Sequence, residues 1–361
     1  MNRRDFTRRA IGVGSGLPAV AALVQACRRA GERPAAEGGE LGPIEDRLSL
    51  YNWSDYIAPD TVAGFEREFG VRVSYDTYES SEELLARLQA GASGYDLVFP
   101  STYVVPALVQ TGLAAPLSKQ YLPNLANVAP LFRGLPHDPE LAHTVPWLWG
   151  MTGIAWRTDR VAERPESWGV FQDPRLGGRM TMLDDMRDVL GTWLRFRGHS
   201  LNSVDPAELE AAKRDAILAK RNLRAFVSAP VKAQLIAGDV HLAQLWNGDL
   251  AQARREQPAL DWVLPREGGT LWIDSMVVPA AARHKRAAHE FINYALRPGV
   301  GASIAAATGY GTPNQAAMGE GRLADPVPYP TGNELARLEI QNDLGRASER
   351  WDRIWTEVKS A

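Results

Sequence analysis

The chain has 361 residues, 45% hydrophobic and 8% aromatic, enough to bury a sizeable core and to fill two domains. Its net charge is −3, and residues 1–26 carry Arg3, Arg4, Arg8 and Arg9 against Asp5, so the remainder holds 36 basic and 42 acidic residues, net −6. That mild acidity speaks against nucleic acid as a partner and suits a cationic ligand.

Residues 1–26 read as an export signal: basic residues through Arg9, then a modest apolar run from Ala10 to Ala26, too short and too rich in Gly and Ala to span a bilayer stably. Asn2-Arg3-Arg4-Asp5-Phe6-Thr7-Arg8 resembles the twin-arginine export motif. Cys27, the only cysteine, excludes an internal disulfide, and Val24-Gln25-Ala26-Cys27 resembles a lipobox, with Gln25 departing from the pattern. The expectation is a lipidated Cys27, then a flexible Gly, Pro, Ala and Glu-rich tether over residues 27–46.

The body opens with alternating elements. Leu48–Tyr51 reads as a strand, and Pro59–Phe69 as a helix with Val62, Phe65 and Phe69 on one face and Gly70 as its stop. Val71–Tyr75 is a second strand; Ser80-Ser81-Glu82-Glu83 is a capping box opening a helix to Ala90, and Asp96–Phe99 a third strand. This βαβαβ order predicts parallel sheet covered by helices on both faces.

In open parallel sheets ligands sit beyond the carboxyl ends of the strands. Trp53, Ser54 and Tyr56 follow the first strand; Ser101 and Tyr103 follow the third. Asp184, Asp185 and Asp188 follow a predicted strand Arg179–Leu183, Trp246 and Asp249 follow Val240–Leu245, and Trp272-Ile273-Asp274 lies in another apolar run. Taken singly, such aromatics are as often core, and Asp184 to Asp188 alone suit a helix N-terminus. The recurrence of an aromatic beside a carboxylate at separate strand ends points instead to an organic cation. Trp156, Trp168, Trp193 and Trp262 read as core, as do Trp351 and Trp355, which share helical spacing with Ile354 and Val358.

Across nearly all of residues 47–361 the body resembles the spermidine/putrescine-binding proteins of polyamine ABC transporters. Carrying the resemblance are Tyr51-Asn52-Trp53-Ser54-Asp55-Tyr56, Asp96-Leu97-Val98-Phe99-Pro100-Ser101-Thr102-Tyr103, Leu245-Trp246-Asn247-Gly248, Pro265-Arg266-Glu267-Gly268-Gly269, Leu271-Trp272-Ile273-Asp274-Ser275, Gly309-Tyr310-Gly311-Thr312-Pro313-Asn314 and Gln341-Asn342-Asp343. It implies an aromatic box of Trp53, Tyr56, Tyr103, Trp246, Trp272 and Tyr310 around the methylene chain. Asp185 and Asp188 would grip one terminal ammonium, Asp274 an amino group deeper in the cleft, and Ser54, Ser101, Ser228 and Gln341 would add polar contacts. Two departures bear on selectivity. Asp188 stands where the spermidine binders carry Glu, and Asp249 stands where putrescine-selective members place an amine-binding carboxylate.

The chemistry agrees with that implication. A polyamine has charged ends joined by methylenes; cation–π contacts contribute about 0.5–2 kcal/mol each, charge-assisted hydrogen bonds roughly 1.5–3, and buried methylenes about 0.8. Together these exceed an association cost of about 4–15 kcal/mol by enough for micromolar or tighter binding. Spermidine is expected first, putrescine close behind.

The resemblance further implies an α/β fold of the periplasmic-binding-protein type: two lobes, each with a central mostly parallel sheet flanked by helices, and the ligand between them. Lobe one would hold residues 47–149 and 275–318, lobe two 152–273 and 321–361, with crossings near Trp149–Thr152, Asp274-Ser275 and Gly319–Gly321. It implies a monomeric, exported, lipid-anchored protein in the periplasmic space or on the outer face of the cytoplasmic membrane, with permease subunits as partners. No cofactor or metal is expected, since His137, His143, His199, His241, His284 and His289 show no ligand spacing. A hydrolase using clustered carboxylates, with Ser101 as nucleophile, is the competing class, but no phosphate loop or GxSxG elbow is present. Another cation or an amino-acid derivative is a third reading; an α-amino acid would call for an arginine in the site, and Arg187 lies nearest in sequence.

Overall fold

Two strands that join two sheets dominate the architecture. The computed structural model describes residues 38–91, 94–318, 330 and 332–361. Strand β1 (Arg47–Trp53) pairs in parallel with β2 (Arg72–Tyr78) from Arg47↔Arg72 to Trp53↔Tyr78, and with β3 (Leu97–Val98). Between them α1 (Pro59–Phe69) starts with Pro59, whose missing N–H costs nothing there, and stops at Gly70, which at φ 68° returns its N–H to Glu66. Its Phe65 is fully buried against Phe291 of α6 (Lys285–Ala295), ring centroids 5.2 Å apart. Helix α2 (Ser81–Gln89) is capped by Ser80, whose hydroxyl accepts the Glu83 N–H at 3.1 Å. The reciprocal bond of the predicted capping box shifts by one residue: the Glu83 carboxylate accepts the N–H of Glu79.

The third predicted strand, Asp96–Phe99, contracts to Leu97–Val98 because Asp96 has other work. Its carboxylate accepts the backbone N–H groups of Ser49, Arg283 and His284, tying three segments together. Likewise Arg179–Leu183 contracts to β5 (Met180–Met182), and Val240–Leu245 moves to β7 (Leu242–Trp246), which brings Trp246 into the strand.

Strand β4 (Thr144–Arg157) is buried along its whole length and changes partners midway. Thr144–Met151 pairs with β9 (Gly269–Val277), whereas Thr152–Trp156 pairs with β7 and Ile154–Arg157 with β8 (Leu260–Val263). The strand order is β2-β1-β3-β9-β4-β7-β5-β6, with β6 at Leu223–Phe226, β8 also on β4, and β10 (Leu338–Ile340) parallel to the start of β9. Sheets read as mostly parallel are therefore mixed. β9 is reversed among β1, β2, β3 and β4, and β4 is reversed beside β7, β5 and β6. The reason is geometric: β4 and β9 run antiparallel to each other where they join the two halves, so each half receives one strand against its grain.

Separate hydrophobic cores form on either side of this junction. One gathers Leu48, Phe65, Phe99, Trp147 and Phe291; the other gathers Trp156, Trp168, Trp193, Trp351 and Val358. Trp262 and Trp355 are buried too, in keeping with their reading as core. No helix among the described residues is long and apolar enough to cross a membrane. The export signal, Cys27, the start of the tether and the crossing at Gly319–Gly321 lie outside the described residues.

Candidate ligand-binding cleft

Where the two halves meet, nine stretches of the chain deliver side chains into one cleft. Trp53, Ser54, Asp55 and Tyr56 leave the end of β1, Ser101 and Tyr103 leave the end of β3, and Asp185 and Asp188 open helix α3 (Met186–Phe196) after β5. Trp246 ends β7, and Asp249 stands in the first turn of α5 (Asn247–Glu256), which follows it without a loop. Trp272 and Asp274 come from the middle of β9 rather than from a strand end, so this element spans the cleft. Tyr310 and Gln341 complete the lining, with Glu79, Ala229 and Lys232.

The rings form a connected wall. Tyr56 stands edge-on to Tyr310 at 5.1 Å, Tyr310 meets Trp272 at 5.1 Å, and Tyr56 meets Trp272 at 6.3 Å. Glycine makes that contact possible: a Cβ on Gly248 would lie 2.3 Å from the Tyr310 ring, and one on Gly150 would lie 2.4 Å from the Trp272 ring. Trp53 is fixed by its indole N–H, which donates to the Phe99 carbonyl at 3.0 Å.

Four of the six carboxylates in the lining are held by neutral donors. Asp274 accepts from Ser101 Oγ at 2.6 Å; Asp188 accepts from Thr152 Oγ1 at 2.9 Å and from the Trp246 indole N–H at 3.0 Å. Asp185 caps α3 by accepting the Asp188 N–H at 2.8 Å, and Ser54 donates to Glu79 at 2.6 Å. Asp274, Asp188 and Asp249 are all buried. Burial pushes the Asp274 carboxyl up to about 7, with Ser101 opposing the rise. The carboxyls of Asp188, Asp185 and Asp249 are raised for the same reason; Asp185 adds repulsion to Asp188, while Lys232 works against the rise at Asp249. Six carboxyls and one lysine line a partly desolvated space, so the cleft has an excess of acidic groups over basic ones.

A family model described as bacterial extracellular solute-binding protein matches residues 60–326. The chain belongs to that family. It is 36% identical over 318 residues to the spermidine/putrescine-binding periplasmic protein of Escherichia coli K12, covering 87% of this chain and 91% of the relative. It is 35% identical over 357 residues to the putrescine-binding periplasmic protein PotF of the same organism, covering 92% and 96%. Among solved structures, the Tp0655 (TpPotD) lipoprotein of Treponema pallidum matches with a TM-score of 0.79 and 30% identity over 88% of this chain and 100% of that one. This solute-binding protein therefore has the two-lobed fold of its relatives and works outside the cytoplasm.

Of the residues singled out from sequence, the solute-binding protein brings thirteen together in the cleft: Trp53, Ser54, Tyr56, Ser101, Tyr103, Asp185, Asp188, Trp246, Asp249, Trp272, Asp274, Tyr310 and Gln341. Ser228 is not in the lining; its hydroxyl accepts the Asp184 N–H at 3.2 Å, supporting the turn before Asp185. Arg187 turns away as well. It is buried over the Tyr103 and Trp351 rings and donates to the Asn342 carbonyl and Asn202 Oδ1, so it offers no clamp for a carboxylate in the cleft. Sequence reasoning missed Glu79 and Lys232. Glu79 follows the end of β2, where the strand-end rule would have found it. Lys232 sits on the short helix α4 (Val231–Ala237), and no local pattern singles it out.

Proposed function

We propose that this solute-binding protein captures a polyamine, spermidine or putrescine, and hands it to the permease subunits of an ABC transporter without chemical change. The carrying observation is the cleft's composition: six carboxyls against a single lysine, interleaved with six aromatic rings. A ligand that satisfies it carries positive charge at several points and apolar stretches between them. In this reading Asp274 takes an amino group, Asp185 and Asp188 take a terminal ammonium, and the rings of Trp53, Tyr56, Tyr103, Trp246, Trp272 and Tyr310 cover the methylenes. The names of the relatives support the ligand class; at 36% and 35% identity they do not separate spermidine from putrescine. Spermidine stands first because Trp272 and the Asp185/Asp188 pair resemble the spermidine type.

The lobes are assigned to residues 47–149 with 275–318, and to 152–273 with 321–361. The change of partners in β4 at Met151–Thr152 supports the first boundary. The protein acts as a monomer, with its body tethered by a lipid on Cys27. Native mass spectrometry after incubation with an equimolar mixture of spermidine, putrescine, glycine betaine and 4-aminobutyrate tests the ligand class. A retained mass of spermidine or putrescine is expected. Exclusive retention of the betaine or the amino acid would replace the proposal with a different cation or a zwitterion.

A further inference from the structure

We propose that Lys232 is a built-in ammonium that occupies the Asp249 end of the cleft and so sets which cations this protein accepts. The proposal rests on the polyamine reading and specifies its selectivity. The Lys232 Nζ lies 2.7 Å from Asp55 Oδ2, 3.0 Å from Gln252 Oε1 and 3.6 Å from Asp249 Oδ1. Two acceptors at hydrogen-bond distance and a second carboxylate at ion-pair distance make an environment that would suit a ligand ammonium. The Lys232 side chain is 15% and that of Asp249 12% exposed, so this pair is only partly screened, whereas Asp55, at 66% exposed, is well screened.

The neighbours show which end of the cleft this is. Tyr310 donates its hydroxyl to the same Asp249 oxygen at 2.7 Å and turns its ring toward Trp272 and Tyr56. It therefore stands between Asp249 and the Asp274 region. At the far side, Asp274 is bonded to Ser101 and Asp188 to Thr152 and Trp246, all neutral donors; Arg187 attracts Asp188 through space but donates its hydrogen bonds to the Asn342 carbonyl and Asn202 Oδ1 instead. The cleft thus has ammonium subsites at Asp274 and at Asp185/Asp188, and a third carboxylate site already filled from within. A ligand whose extra ammonium reaches Asp249 meets a like charge and must displace it.

Lys232 also joins the two sides of the cleft. Asp55 follows β1 and adopts φ 53°, a left-handed conformation that Asp tolerates better than most residues, which turns its carboxylate to the lysine. Lys232 and Asp249 follow β6 and β7 on the opposite side. Displacing the lysine therefore also removes a contact across the cleft.

Calorimetric titration with putrescine and with spermidine tests the assignment in the full chain, in Lys232→Met, and in Lys232→Met/Asp249→Asn. Met keeps the aliphatic bulk without the charge. We expect Lys232→Met to raise the ratio of spermidine to putrescine affinity about tenfold, and the added Asp249→Asn to reverse most of that gain. A second substitution, Lys232→Gln, should move the ratio in the same direction. A ratio within twofold of wild type in both lysine variants, with polyamine binding intact, overturns the role of Lys232 alone. No polyamine binding by wild type and variants alike overturns the polyamine reading and this inference with it.

Discussion

Asp274 shows how a single residue couples ligand to proton. Burial pushes its carboxyl up to about 7, and in the proposed site it gives up that proton on taking an ammonium. Because the folded value lies above the ordinary 3.8, the free protein binds this proton more tightly than the unfolded chain does. The stability that this group contributes is therefore present at pH 4 and lost as pH rises through about 7. Ligand binding has the opposite sign: the amine needs the carboxylate, so polyamine affinity should fall about tenfold between pH 8 and pH 6 while the ligand stays protonated. Titrations across that range check this, and a flat profile would place the carboxyl's titration elsewhere. Asp274→Asn should weaken binding at least tenfold and leave the melting temperature of the free protein at pH 8 unchanged or raised. Unaltered affinity would remove Asp274 from the site.

The residue scale also marks where sequence reasoning ran out. Rings and carboxyls next to strand ends announce themselves because the βα junction rule says where they face. Lys232 does not, since its partner Asp55 lies 177 residues away in the chain and its meaning lies only in that meeting.

At the scale of elements, helix α3 separates two roles of one carboxylate. Asp185 caps the helix and belongs to the proposed ammonium site. Asp185→Asn keeps the cap, because Asn accepts the same N–H, and should weaken polyamine binding with stability nearly unchanged. Asp185→Ala should lose the same affinity and about 1 kcal/mol of stability besides, read by urea unfolding. Equal stability in both variants would deny the cap its contribution. The glycine beneath Trp272 makes a second element-level prediction. In Gly150→Ala the new Cβ would press on the Trp272 ring and on the Asn247 amide oxygen, which accepts the Met151 N–H. Overpacking of about 1–3 kcal/mol and at least tenfold weaker binding are expected, and wild-type values for both would refute the close fit.

The opening βαβαβ run was readable because Pro59, Gly70 and Ser80 punctuate it and its first two strands alternate apolar and polar residues. The junction strands were less so. Strand β4 is buried throughout and mostly apolar, and nothing in its composition says that its first half serves one sheet and its second half another. For the same reason Trp272 and Asp274 look like residues near a strand end, whereas they lie within β9.

At the scale of the whole molecule, the excess of carboxyls on the cleft walls is the driving feature. Like charges facing one another across the cleft resist closure, and a bridging cation relieves them, so ligand should shift the population toward a closed form. Small-angle scattering with and without saturating spermidine should show a smaller radius of gyration in the bound protein; identical curves would count against ligand-driven closure. Across the same cleft Lys232 and Asp55 already make one ionic contact, so the free protein has a partial substitute for the ligand's charge.

The most direct measurement is calorimetric titration of the purified chain at pH 8 with spermidine and with putrescine, repeated in two buffers of different ionisation enthalpy. The expected result is saturable binding of at least one amine at micromolar affinity or tighter, with protons released in proportion to the carboxyls that ionise. No saturable heat with either amine up to about 1 mM would contradict the account.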